Sequence, residues 1–486
     1  MDPLLKELQQ QPHLLSLAPL IKRRNCQVFL VGGFLRNLLL DKKDGNLDLD
    51  FAVSYDALEL ARQFSRKIKG FYVVLDRKER CARVIHQFKG KAYTLDFAQF
   101  RGKTIKADLL LRDFTINNLA VDIKKLESAK SLGEILVDES FGQRDLKNRL
   151  IRRVHKNSFQ DDPLRIIRAF SLAANLNFKI DGTTLTQAKR DRLKLADVAY
   201  ERIRDELFKI LSVEDSAVYL KQMDKLRILE EILPQITVMR NVKQGPYHHL
   251  DVWQHSLETV AQLEKIFKEL DSNQDIRKYL KEELVFNRSR KSLMKLGALL
   301  HDIGKPQSKR RKEGKTLFHG HERVGRDISD KISEMLKLST KEKLALEKMI
   351  FWHLRPGYLA DNELPTARAV FRYFRDAQEE GVSILLISLA DQRATCGPLT
   401  SKKDRQQHER VIKDLIGRYF EKQKEEKIKR LIDGNDLIGR LKLSPSPVFS
   451  RILREVEESQ AEGSVKTKAQ ALALAKKIAA SKNRPV

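Results

Sequence analysis

The sequence predicts an α+β protein, with one mixed α/β domain near the amino end followed by helical domains. Three observations predict it. Between Cys26 and Ile123, short β-rich runs (VFLVGG, LDLDFAV, FYVVLD, ARVIHQF, AYTLDFAQF, INNLAVDI) alternate with helical pieces. From about Ser158 the apolar residues fall at helical spacing, as in DDPLRIIRAFSLAANL and YERIRDELFKIL. A Gly245-Pro246 step then marks a boundary before a further helical stretch holding most of the histidines. The chain has 486 residues and a net charge of +27, so a sizeable core is available and the expected partner is a polyanion, RNA or DNA before an anionic membrane. Three widely spaced cysteines (Cys26, Cys81, Cys396) argue against a disulfide framework or a cysteine zinc site and fit a reducing cytosol. No secretory signal is evident, and no apolar run is long enough to span a bilayer.

Residues 1–24 read as a lead helix. An apolar strand, Val28 to Val31, then runs into Gly32-Gly33, a short helix carries Arg36, and a second strand presents Asp48 and Asp50. Residues two apart in a strand share a face, so both carboxylates converge on one site, as a hard divalent cation such as Mg²⁺ requires. The glycines let backbone N–H groups come close to phosphate oxygens. These parts suit metal-assisted nucleotidyl transfer from a nucleoside triphosphate. Asp96 is a possible third carboxylate, or a polar residue on a half-solvated strand.

Further along, YHHLDVWQHSLETV, LGALLHDIGKP, HGHERVG, WHLRP and LADQRAT spread potential ligands over separate helical segments. Adjacent His301 and Asp302 offer an imidazole and a carboxylate to one cation, and His255 and Asp391 close its shell. His321 and His353 could hold a second ion. Mixed N/O donors suit Mn²⁺, Ni²⁺, Fe²⁺, Zn²⁺ or Mg²⁺ alike. Lys305 is placed one helical turn from His301, where it could steady a phosphate. His13, His86, His155 and His408 read as ordinary residues.

The order GGFLRN, LDLDFAV, LLRDFTINNLAVD, LVDESFGQRDLKNRLIR, DDPLRIIRAF and YERIRDEL, over about residues 25–215, resembles the class II tRNA nucleotidyltransferase and bacterial poly(A) polymerase superfamily. The resemblance implies a polymerase-β-like nucleotidyltransferase head and helical neck, body and tail. It also implies template-independent addition of nucleotides from CTP and ATP to the tRNA 3′ end. By position, Arg112 and Asp113 match the ribose-recognition pair, and Asp162 and Arg165 the amino-acid template for the base, expected on one face of a helix. Arg168 and Arg202 match triphosphate or packing residues, while Glu201 and Glu206 are expected to brace the neck. Asn37 and Asp161 depart from the family's usual Asp and Glu. Only GKTIKADLLL separates Phe100-Arg101 from Arg112-Asp113, where CCA-adding members carry a longer flexible loop. A shortened loop looks like enzymes that add CC and leave the terminal A to a partner enzyme.

The second constellation, over about 247–395, resembles the HD superfamily of metal-dependent phosphohydrolases. Its implied substrates are RNA 2′,3′-cyclic phosphates, 3′ ends or 2′-phosphates. The phrase LIDGNDLIGRLKLSPSPVF resembles the C-terminal region of HD-containing tRNA nucleotidyltransferases. The expected division is therefore a lead helix (1–24), a head (25–125), a neck and body (126–245), an all-α HD domain (246–400) and a helical, tRNA-binding tail (401–486). The basic runs KKDRQQHERVIKD, KQKEEKIKR and KNRP are candidate phosphate contacts. Two competing readings are a poly(A) polymerase, against which His301-Asp302 argues, and an HD phosphohydrolase whose head only binds RNA.

Overall fold

The computed structural model describes residues 2–480 except 23, 25, 43–47, 362–363 and 425–429. Two compact units result, Met1–Ile210 with Met223–Ile232, and Leu211–Gln222 with Leu233–Val486. The irregular stretch 240–251, which includes Gly245-Pro246, thus falls inside the second unit. The runs KQKEEKIKR and KNRP lie, apart from the helix end at 422–424 and Arg430, outside the described residues.

The expected single lead helix is two, α1 (Pro3–Gln10) and α2 (Pro12–Lys22). Proline disfavours helical backbone in the residue before it, and Gln11 is accordingly extended at φ −68°, ψ 117°. The first unit is built on a seven-stranded sheet in the order β3-β4-β5-β2-β1-β6-β7. Its strands are β1 (Val28–Val31), β2 (Asp48–Val53), β3 (Phe71–Asp76), β4 (Cys81–Phe88), β5 (Lys91–Gln99), β6 (Leu119–Asp122) and β7 (Leu136–Asp138). Only β2 and β5 pair in parallel. Because β7 belongs to it, the sheet continues past residue 125, the edge expected for the head.

Strand alternation divides the sheet's two faces. Leu49, Phe51, Val53, Leu95 and Phe97 are buried on one face. Phe51 stacks on Phe97 at 4.8 Å between centroids, and Phe97 meets Phe64 at 5.8 Å. Phe64 belongs to α4 (Ala57–Ile68), whose Leu60, Ala61 and Phe64 form its buried stripe. The opposite face carries Asp48, Asp50 and Asp96. Beyond α3 (Gly33–Leu39) and α4, the unit has α5 (Ile105–Leu110), α6 (Gly142–Lys147), α7 (Ser158–Asp161), α8 (Arg165–Leu176), α9 (Gly182–Asp191) and α10 (Tyr200–Ser212). Helix α5 closes part of the carboxylate-bearing face, where Ile105 and Leu109, one turn apart, pack with Phe29, Val31, Ala52 and Ala120.

The second unit is helical. It includes α11 (Ser216–Lys225, shared with the first unit, as is the short α12, Ile228–Ile232), α13 (Val252–Glu269), α14 (Gln274–Lys281), α15 (Arg290–Leu300), α16 (Lys305–Ser308), α17 (His321–Met335) and α18 (Thr340–Trp352). It continues through α19 (Arg355–Ala360), α20 (Ala367–Ala377), α21 (Gly381–Ala394) and α22 (Lys402–Lys424). Helix α21, apolar on nearly every side, is buried from Gly381 to Ala390, as an all-round hydrophobic helix must be. The segment expected to be all-α also bears two small hairpins, Glu283–Val285 with Arg288–Ser289 and Arg310–Lys312 with Lys315–Leu317.

Three helices, α23 (Gly434–Gly439), α24 (Val448–Ala461) and α25 (Lys468–Ala480), share a small core around Leu437, Ile452, Val456, Ala471 and Ala475. The break expected at LSPSPV separates α23 from α24. Glu458 of α24 is 1 % exposed and takes hydrogen bonds from Arg368 (3.0 Å), Arg372 (2.6 Å) and Arg375 (2.7 Å). Burial works against its charge, yet the three guanidinium groups hold its carboxyl down at about 2. Removing it strands three cations that are only partly solvated. Glu458→Ala should therefore lower unfolding stability by about 1–3 kcal/mol, read by urea denaturation, whereas the exposed Glu462→Ala should change it by under about 0.5 kcal/mol.

Candidate active site and metal centre

In the first unit, β1 delivers the chain to Gly32, whose φ is +81°. Non-glycine residues rarely adopt that backbone, and here a Cβ would also lie 2.3 Å from Asp50 Oδ2. The Asp50 carboxylate therefore rests against the glycine, in register with Val31 on the adjacent antiparallel strand. Asp48 lies two residues back on the same strand, as the spacing predicts.

Asp96, which the sequence left undecided, sits beside Asp50 in the parallel β2–β5 register. Arg83, which sequence reasoning missed, binds Asp96 through two 2.8 Å hydrogen bonds from its cross-strand position on β4. A strand-pairing pattern, not a local motif, would have been needed to find it. Burial, then the carboxylates of Asp96 and Asp48, push the Asp50 carboxyl up to about 6, while Arg112 and Arg168 pull the other way. Crowded carboxylates facing one side are the electrostatic requirement for a divalent cation, and their oxygen donors fit Mg²⁺.

Around this trio runs a chain of hydrogen bonds. Arg36 Nη1 donates to Asn117 Oδ1 (2.8 Å), Asn117 Nδ2 donates to Asp113 Oδ1 (3.2 Å), and Arg168 Nε lies 3.1 Å from Asp113 Oδ2. Burial opposes the Asp113 charge, but Arg168 and two hydrogen bonds keep its carboxyl below the usual range. Asn37 accepts from Arg36 Nε and Nη2, at 3.0 and 2.9 Å. Arg112 and Asp113, adjacent in sequence, have different partners, since Arg112 donates twice to Asp108 (3.1 and 2.9 Å). Asp108, 2 % exposed on α5, also accepts from the Arg101 backbone at 3.1 Å.

Asp162 and Arg165 do not share a helix, contrary to expectation. Asp162 is extended (φ −148°, ψ 100°) because Pro163 follows it, and it falls between α7 and α8. Its Oδ1 accepts from the Leu164 N–H at 3.3 Å and its Oδ2 from Arg202 at 2.9 Å. The buried Arg165 guanidinium donates to the carbonyls of Leu111 (2.9 Å), Arg112 (3.3 Å) and Ser158 (3.3 Å). It therefore grips the backbone beneath Arg112 and Asp113. Glu206 accepts from Ser171 and from Lys209, an internal brace of the helical part.

In the second unit, all six expected donors meet. His255, His301 and Asp391 form one group and Asp302, His321 and His353 another, with donor atoms in each within 4.8 Å of one another. Asp302 joins them. Its Oδ2 lies 3.2 Å from His301 Nε2 and 3.8 Å from His255 Nε2, and its Oδ1 lies 3.3 Å from His321 Nε2 and 3.8 Å from His353 Nε2. Three histidines are oriented alike. The Nδ1 atoms of His301, His321 and His353 each meet the carbonyl three residues earlier (Ala298, Phe318, Ile350; 2.8, 2.8 and 2.6 Å). That contact fixes the tautomer that turns a lone pair on Nε2 toward the centre.

The donor set fits divalent cations. His321 Nε2 and His353 Nε2 stand 3.2 Å apart, which sets lone pair against lone pair unless a positive charge lies between them. Burial, then His321 and His301, depress His353 to about 3, so it stays a neutral ligand. His301 is buried too, yet Asp302 and Asp391 raise it to about 10, the mark of a cage that attracts positive charge. His301 Nε2 and Asp302 Oδ2 also lack a hydrogen-bond partner within the protein.

Lys305 is not on the helix of His301, as was expected. Helix α15 ends at Leu300, and a tight turn through Gly304 precedes α16. A Cβ on Gly304 would meet the His321 carbonyl oxygen at 2.1 Å, so this glycine is what lets α17 bring His321 to Asp302. Lys305 Nζ instead reaches Asp302 Oδ2 (2.6 Å) and Gln244 Oε1 (2.7 Å). Sequence reasoning missed Gln244 and also His248, whose ring stands edge-on to His255 at 4.9 Å.

Two outcomes test the head geometry. Gly32→Ala must push the Asp50 carboxylate away, so nucleotide incorporation should fall at least about 100-fold while circular dichroism stays unchanged. A proton competes with a cation for Asp50, so Mn²⁺ affinity at the head, titrated by electron paramagnetic resonance with His301→Ala and His353→Ala in the background, should fall about tenfold per pH unit below the carboxyl's value near 6 and level off above it.

Residues 28–152 match the poly A polymerase head domain, 177–239 a probable RNA and SrmB-binding site of polymerase A, and 252–396 the HD domain. An A-adding tRNA nucleotidyltransferase of Deinococcus radiodurans is 30 % identical over 77 % of this chain and 80 % of its own length. A CC-adding tRNA nucleotidyltransferase of Thermus thermophilus is 28 % identical over 92 % of both chains. A solved CCA-adding enzyme in complex with ATP shares the fold at a TM-score of 0.66 and 22 % identity, over 99 % of this chain and 97 % of its own. The paired carboxylates on their glycine and the His/Asp cage thus stand in the two matched domains, and the chain belongs to the class II tRNA nucleotidyltransferase family, in a form that carries an HD domain.

Proposed function

We infer that this protein adds nucleotides from CTP and ATP to the 3′ end of tRNA without a nucleic-acid template, and that its own product is the CC dinucleotide. The observation that carries the CC reading is α5. Where a long flexible loop would allow a change of base preference, the chain has a six-residue helix pinned by Ile105, Leu109 and the buried Asp108. Asp108 also clamps Arg101 and Arg112, tying the nucleotide-binding strand ends to that rigid element. The CC-adding relative that matches 92 % of this chain favours the same reading. Addition of the terminal A is the second reading, favoured by the A-adding relative at 30 % identity.

Asp48 and Asp50 are the carboxylates that would hold Mg²⁺, which when bound supplies charge neutralisation for the triphosphate. Gly32 and Gly33 present backbone to the phosphates, with Arg36 and Arg168 beside them. Arg112 and Asp113 select the ribose. Asp162, turned out of the helix and paired with Arg202, meets the base, and Arg165 positions the Arg112–Asp113 backbone and serves base choice through it. Among the described residues no helix is long and apolar enough to cross a membrane, and we place the protein in the cytoplasm.

We assign phosphate-ester hydrolysis to the HD unit. His255, His301 and Asp391 would hold one divalent ion, transition metal or Mg²⁺, and His321 and His353 a second, with Asp302 between them. An RNA end carrying a 2′,3′-cyclic phosphate or a 2′-phosphate is the substrate that links this hydrolysis to extension.

Stepwise extension decides the first part. With tRNA ending at the discriminator base, CTP alone should yield two additions, and ATP supplied afterwards should add less than about 1 % as much A. Efficient A addition overturns the CC assignment, and long A tracts on unstructured RNA would mean a poly(A) polymerase. Asp48→Ala should abolish incorporation while release of phosphate from a 2′,3′-cyclic nucleotide continues, and Asp302→Ala should do the reverse and lower bound transition metal by two ions per chain. An intact enzyme that incorporates no nucleotide would reduce the head to an RNA-binding module.

A further inference from the structure

The donors of the HD cage differ in exposure. The side chains of His255, His301, Asp302 and His353 are at most 2 % exposed, whereas that of Asp391 is 23 % exposed. Solvent, and any substrate, therefore reaches the cage on the Asp391 side. Asp391 lies near the end of α21, and the next residue, Gln392, lines a cavity of about 770 Å³ formed with α19 and the start of α22. That volume suits a small organic molecule rather than a bare phosphate.

The lining is not simply cationic. Lys403 and Arg410 stand with Asp361 and Asp404, so the charges balance, and the amides of Gln392 and Gln406 lie among them. A side-chain amide offers a donor and an acceptor together, the pairing that a nucleobase edge presents. His408, which the sequence marked as ordinary, also lines the cavity and is 7 % exposed. Its Nε2 is 3.3 Å from Ser388 Oγ, one turn before Asp391 on α21, while its Nδ1 has no protein partner. A buried ring nitrogen without a partner at a cavity wall is the signature of a ligand or water contact. Burial lowers the imidazole's affinity for a proton, which keeps the ring neutral and suited to hydrogen-bonding a base.

We propose that this cavity is the base-binding subsite of the HD centre, which seats a nucleoside whose ribose phosphate reaches the cage past Asp391. The proposal rests on the assignment of phosphate-ester hydrolysis to this unit. It makes the substrate class nucleotides, whether a free nucleoside phosphate or the last residue of an RNA, and excludes generic phosphate esters as good substrates.

The test compares the full chain with Gln406→Leu and His408→Phe, with Mn²⁺ present, on two probes. One is adenosine 2′,3′-cyclic phosphate and the other is the base-free ester bis(p-nitrophenyl) phosphate. For the nucleotide, KM should rise about tenfold in each variant with kcat nearly constant, and base-free hydrolysis should not change. Equal effects on both probes, or none on either, overturn the subsite and leave the hydrolase standing. If the intact protein hydrolyses neither probe, the hydrolase assignment fails. The cavity is then judged by photolabelling with 8-azidoadenosine monophosphate, where label on residues 392–410 supports the subsite and label confined to 28–170 overturns it. A short RNA ending in the cyclic phosphate separates the sources: a kcat/KM above that of the free nucleotide identifies the RNA terminus, and one below it the free nucleotide.

Discussion

The close approach of the Asp50 carboxylate to Gly32 is the constraint on which the transferase head depends. No residue with a Cβ fits between them, and Gly32 also needs a backbone conformation that other residues rarely adopt. The contact ties the end of β1, where phosphates are expected, to the strand that carries both acidic side chains. Strand alternation supplies the rest. The apolar partners of Asp48 and Asp50 on β2 are sealed under α4, so the carboxylates have only the opposite face to occupy.

The HD cage is assembled differently. Its six donors come from four helices and the turns that end them, with no sheet to align them. Backbone carbonyls three residues upstream do that work for three of the histidines, and Gly304 does it for the approach of α17. Both sites crowd like charges or lone pairs in buried positions, and in both the strain in protonation points to a cation. The head uses carboxylates alone, the choice of a hard ion. The cage mixes imidazole and carboxylate, which admits softer metals.

Periodicity made much of this legible. The six β-rich runs became the first six strands, and the Asp48–Asp50 spacing became a shared face. Adjacent His301-Asp302 with spaced histidines became one cage, because each lay on a helix whose apolar face had to turn inward. Three local readings failed for one physical reason, a break in the helix. Gln11 before Pro12 and Asp162 before Pro163 leave helical backbone, and the turn at Gly304 separates Lys305 from His301. A helical spacing of three or four residues has no meaning across such a break.

What the chain alone determined were the identities and order of the chemical groups, since residue type and short-range spacing dictate local backbone and the face a side chain takes. Which groups meet across distant segments was decided only in three dimensions. Arg83 reaches Asp96, Asn117 joins Arg36 to Asp113, Asp302 sits between two sets of donors, and His408 meets a cavity beside Asp391. Each of these depends on strand register, helix packing or the room left by one missing methyl group, and those are properties of the packed whole, not of any local stretch of sequence.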